Sequence, residues 1–93
     1  MLVIAHHQIQ DTEKFWSITN NIGENLPFGF KLHRVYPSMN MKIGTCLWEA
    51  PSVGAIHDFI DENVGRFSKN FYYKVNHQGA VGLPKSTMET VND

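Results

Sequence analysis

The sequence predicts an α+β fold with the order strand, helix, strand, strand, helix, strand, and three observations carry that prediction. Short β-rich runs at Leu2 to His7, Phe30 to Tyr36, Lys42 to Ala50 and Phe71 to Val75 have strand length. Two segments between them place apolar residues at helical spacing: Phe15, Ile18, Ile22 and Leu26, then Val53, Ile56, Ile60 and Val64. A turn-like break, Pro37-Ser38-Met39-Asn40-Met41, separates the two middle strands and makes them a hairpin. This is the split βαβ, or ferredoxin-like, arrangement. Two right-handed crossovers put both helices on one face of an antiparallel sheet, as a sandwich, and leave the other face bare.

Each element has its own local reason. The first strand runs through an apolar stretch into His6 and His7. Asp11 is placed to cap the first helix and Glu13 lies in its first turn, where a carboxylate suits the helix dipole. Pro27 and Gly29 end that helical stripe. Phe30 to Tyr36 alternates with period two. Pro51-Ser52 opens the second helix with Ser52 as N-cap, and Gly65 closes it. Ala80 to Pro84 is a short apolar segment after the last strand. Residues 1–84 therefore read as one domain, and Lys85 to Asp93, polar and aperiodic, is expected to be a mobile tail.

Composition narrows the function classes. The 93 residues are 42% hydrophobic and 18% charged, a globular balance with room for one modest core. A formal charge of −1 gives no phosphate-tracking surface, so no nucleic acid partner is expected. A single cysteine makes no intrachain disulfide, and a reducing cytoplasm is the simplest compartment. Met1 to His7 lacks a basic leader and reads as a strand rather than a signal peptide, and no run approaches the ~20 apolar residues that cross a bilayer, so no membrane association is expected. Six Phe, three Tyr and two Trp are many for a small domain to cover alone, which favours a homodimer.

Alternation across the hairpin assigns faces. Centring the turn on Met39-Asn40 pairs Tyr36 with Ile43, Arg34 with Thr45, His33 with Cys46 and Lys31 with Trp48. Leu32, Arg34, Tyr36, Ile43, Thr45 and Leu47 then share a face suited to the helices. Lys31, His33, Val35, Gly44, Cys46 and Trp48 share the bare one. On the first strand the larger aliphatics Leu2 and Ile4 suit the helices, which turns His7 to the bare face beside His33 and Cys46. His7, His33 and Cys46 are therefore candidate ligands for a transition metal such as nickel, zinc or copper, and Trp48 is a candidate wall for a small-molecule ligand.

Other readings stand beside that one. The three side chains can merely line a cavity or interface, since no close-spaced ligand motif accompanies them. His33 can act as a general base, because an imidazole titrates near pH ~6.5. Cys46 lies mid-strand, away from any helix N-terminus that would activate it, and reads as a buried, inert thiol. Trp16 is expected at the edge of the first helix. Glu49 reads as a solvated or helix-facing charge, His57 as a surface residue, and His77 as a residue that approaches a partner subunit. There is no P-loop, dinucleotide fingerprint or nucleophile elbow.

Four stretches carry a resemblance: Ala5-His6-His7, Lys31-Leu32-His33, Cys46-Leu47-Trp48-Glu49-Ala50-Pro51-Ser52 and Ala80-Val81-Gly82-Leu83-Pro84. Through them the chain resembles a family of small bacterial proteins in the dimeric α/β-barrel superfamily, over nearly everything before Lys85. It is similar, more loosely, to a nickel-binding ferredoxin-like group. The resemblance implies a homodimer whose two sheets face each other around a cavity, in a superfamily that also holds cofactor-independent monooxygenases and haem-degrading enzymes. It brings no catalytic residue with it, because fold does not fix function. Three functions follow as expectations: a small-ligand or metal binder, a cofactor-independent oxygenase or isomerase using His33 as base, and an interaction module without site chemistry.

Overall fold

A computed structural model describes residues 1–85. The expected mobility of the C-terminal tail falls on residues 86–93, outside those described. The elements are β1 (Leu2–Ile9), α1 (Thr12–Thr19), a 3-10 turn (Ile22–Asn25), β2 (Lys31–Pro37), β3 (Ile43–Glu49), α2 (Val53–Val64) and β4 (Ser68–Lys74). They form one antiparallel sheet in the order β2-β3-β1-β4, the ferredoxin-like βαββαβ topology.

The helix starts obey their caps. Asp11 Oδ1 accepts from the Lys14 backbone N–H at 3.1 Å, and Ser52 Oγ accepts from that of Ala55 at 3.0 Å. The first helical stripe does not run as one helix. α1 ends at Thr19, and Ile22 reaches the core from the 3-10 turn instead. Asparagines at 20, 21 and 25 favour turns over continued helix, and they interrupt a stripe whose apolar spacing alone looks continuous. Gly65 does end α2, but in right-handed backbone. A Cβ there would lie 2.5 Å from the Asp61 carbonyl oxygen, so close approach rather than a left-handed turn requires glycine.

Both helices lie on one face, and the core shows which. Phe15 and Trp16 of α1 and Ile56, Ile60 and Val64 of α2 pack on Val3, Ala5 and Ile9 of β1 and on Cys46 and Trp48 of β3. This reverses the expected faces. His7, Cys46 and Trp48 point at the helices, whereas Ile4, Tyr36, Thr45 and Leu47 line a groove on the opposite side. The physical reason is bulk. The helices bring their own large aromatics, so the strand positions beneath them must be small. Ala5 and Gly44 supply that room: a Cβ on Gly44 would lie 3.0 Å from Trp16 Cη2. Trp16 is accordingly a core residue, not a helix-edge one, and its Nε1 donates to the Met41 carbonyl at 2.8 Å.

The hairpin register also differs from expectation. Tyr36 pairs with Thr45, Val35 with Cys46 and Arg34 with Leu47, so the turn is centred between Asn40 and Met41. Ser38 Oγ and Asn40 Oδ1 accept from the Ile43 and Lys42 amides, each at 3.0 Å, and Met41 takes a left-handed φ of 64°. These polar turn contacts fix a loop one residue further along than a two-residue centre predicts. A bulge then falls between Leu32 and Arg34, beyond which Leu32 pairs with Trp48 and Lys31 with Glu49.

Candidate functional site

The uncovered face of the sheet has a regular composition. One cross-strand row reads Arg34, Leu47, Ile4, Tyr73, and its neighbour reads Tyr36, Thr45, His6, Phe71. Tyr36 and Tyr73 are 62% and 58% exposed, and Ile43 and Phe71 on the same face are also exposed. Single exposed apolar residues are ordinary, but here Tyr36 on β2 and Phe71 and Tyr73 on β4 flank a shared face from its two edges. His6 lies within it, its Nδ1 3.2 Å from Thr45 Oγ1.

A groove of about 510 Å³ follows the first row, with Ile4 and Leu47 as floor and Arg34 and Tyr73 at its ends. The chain after β4 adds to its lining, with Val75, Asn76 and the stretch from Gly79 to Leu83. Asn76 starts that return: its Oδ1 accepts from the amides of Gln78 at 3.0 Å and Gly79 at 3.2 Å. Gly82, with φ of 82°, continues the turn through backbone that favours glycine.

At one end of the same face, His33 Nε2 meets Glu49 Oε1 at 2.9 Å, with side chains only 6% and 1% exposed. The bulge creates this contact. Two residues, 33 and 34, stand where a regular strand has one, so His33 joins Arg34 on the uncovered side instead of opposing Cys46. With Glu49 ionised, Nε2 carries the hydrogen and donates it, which orients the ring and leaves Nδ1 as its basic nitrogen. Glu49 is neither solvated nor helix-facing, contrary to expectation.

The remaining predicted residues lie beneath the helices. His7 is buried against Phe15, ring centroids 5.0 Å apart, and its Nδ1 lies 2.6 Å from Asn70 Oδ1. Burial lowers its pKa below the usual histidine value; the Asn70 hydrogen bond opposes that shift, and His6 adds to it. Burial pushes the Cys46 thiol up to about 12, so the thiolate nucleophile is not populated at neutral pH. Trp48 packs edge-on to Phe59 of α2, centroids 5.9 Å apart. His7, His33 and Cys46 are thus divided between the two faces, and among the described residues no group of three or more His, Cys, Asp or Glu is placed to hold a metal ion. His57 is exposed and pairs with Asp58 at 3.1 Å.

Sequence reasoning missed Arg34, Tyr36, Tyr73, His6 and Glu49 as site residues. The usable signal was Arg34. A charge in a set assigned to the core weighs more than the aliphatic size of its companions, because an unpaired guanidinium is almost never buried. Compared with known proteins, the chain matches no family model, no curated protein and no solved structure. Among the described residues no helix is long and apolar enough to cross a membrane.

Proposed function

We propose that this protein is a cytoplasmic homodimer that binds a small organic ligand on the uncovered sheet face, between its two sheets. The observation that carries the reading is that face itself: an exposed aromatic surface around a groove of about 510 Å³, inside the roughly 300–1,000 Å³ range of small-molecule sites. A second copy supplies a complementary cover, since the same aromatic rows meet themselves across a two-fold axis. The dimeric α/β-barrel resemblance leads to the same assembly. A free, buried cysteine thiol suits a reducing compartment.

Light scattering tests the assembly. The expected result is a dimer at micromolar concentration that dissociates in a Tyr36→Glu/Phe71→Glu double variant. A wild-type monomer at high concentration overturns it. Native mass spectrometry of freshly purified protein reads any retained small molecule in the same sample.

One observation favours a second reading, an oxygenase or isomerase with His33 as general base. A carboxylate 2.9 Å from Nε2 holds the ring in one tautomer, as a base requires. Activity that survives His33→Ala, once a substrate is found, removes that role.

A further inference from the structure

We infer that the groove on the uncovered face selects an amphipathic carboxylate with a flat aromatic body, its carboxylate on Arg34. The inference rests on the ligand-binding reading above and adds the chemistry of the ligand.

The cross-strand row supplies the argument. Arg34 pairs with Leu47, Leu47 with Ile4, and Ile4 with Tyr73. Four strands at ~4.8 Å spacing put the outer two backbones about 14 Å apart. Along that line the surface changes from a cation, through two aliphatic side chains, to a phenol ring. Arg34 is the one charged group among the groove's described lining residues, and no carboxylate lines it. Among the described residues the Arg34 side chain enters neither an ion pair nor a hydrogen bond, so none of them neutralises its guanidinium.

An unpaired guanidinium at the end of an apolar floor has a defined complement. Its planar fork matches a carboxylate through two parallel hydrogen bonds, which neither a neutral ligand nor a cation can offer. The floor asks for an apolar body. Tyr73 at the far end, and Tyr36 beside Arg34 in the neighbouring row, are ring walls that favour a flat aromatic body over a flexible chain. Residues of the return segment between Val75 and Leu83 line the groove beside that body.

Isothermal titration of the full chain with 2-naphthoate, 2-naphthylmethanol and decanoate tests this, in wild type, Arg34→Gln and Arg34→Lys. Wild type is expected to bind naphthoate at least tenfold tighter than the alcohol and tighter than decanoate. Arg34→Gln is expected to lose at least tenfold for naphthoate while keeping its affinity for the alcohol, with Arg34→Lys in between. Circular dichroism confirms that each variant is folded. Equal affinity for acid and alcohol overturns the carboxylate assignment while the groove remains a ligand site. Tighter decanoate binding overturns the aromatic body. Failure of all three probes to bind wild type overturns both the inference and the ligand-binding reading beneath it.

Discussion

The two faces of this sheet each hold a buried histidine with one close hydrogen-bond partner, and the partners differ. On the helix-covered face His7 meets the Asn70 amide, whose Oδ1 also lies 2.8 Å from Ser68 Oγ, among Phe15, Trp16 and Gly44. That network joins neutral groups; burial, not the Asn70 hydrogen bond, lowers the imidazole's pKa. On the other face His33 meets the Glu49 carboxylate, an acceptor for its Nε2 hydrogen. Burial alone therefore does not tell the two histidines apart; the chemistry of the partner, and the side of the sheet on which it stands, does.

The contrast is sharpest in stability. Phe15→Ala removes a fully buried ring from under α1 and is expected to cost about 3–5 kcal/mol. Gly44→Val drives a side chain into Trp16 and is expected to cost about 1–3 kcal/mol. Tyr73→Ala, on the uncovered face, is expected to change monomer stability by no more than ~0.5 kcal/mol. Urea unfolding of the three variants reads these values, and comparable losses on both faces would erase the distinction.

The buried pair comes next in size. Glu49→Leu is expected to cost about 2 kcal/mol, because it leaves the buried His33 Nε2 without its carboxylate acceptor. Chemical denaturation at pH 6 and pH 8 checks it. A variant as stable as wild type at both would mean that the pair contributes nothing to the fold.

The smallest effect concerns His7 and its sign. Its folded pKa is lowered, chiefly by burial, so it resists protonation that the unfolded chain accepts. Its contribution is fully present above the unfolded value near pH ~6.5 and is lost as pH falls through the folded one, at no more than about 1.4 kcal/mol per pH unit. Thermal melts between pH 7 and pH 5 should fall more steeply for wild type than for His7→Leu. Parallel curves would show that His7 does not titrate differently on folding.

Much of the fold is legible in the sequence. Caps at Asp11 and Ser52, apolar stripes and period-two runs are local signals, and local signals survive packing. Alternation along β3 was also legible: Gly44, Cys46 and Trp48 do share one face, and Thr45 and Leu47 the other. Which face meets the helices was not, because the answer depends on the helix aromatics that press on Gly44 and Ala5, a tertiary matter. The His33–Glu49 contact was hidden for a second reason. A bulge has no period to read, and strict alternation carries a register past it uncorrected.

That bulge has a consequence for how the chain can change. In a regular strand, residues 32 and 34 point the same way, yet here Leu32 packs on the core while Arg34 lines the groove. Residue 33 is supernumerary in the ladder: Leu32 opposes Trp48, Arg34 opposes Leu47, and nothing opposes His33. Losing that one codon would leave a continuous ladder with both neighbours still on their own faces, at the cost of the imidazole and its contact with buried Glu49. The bulge thus lets residue 33 be present or absent with the core and the groove left in phase.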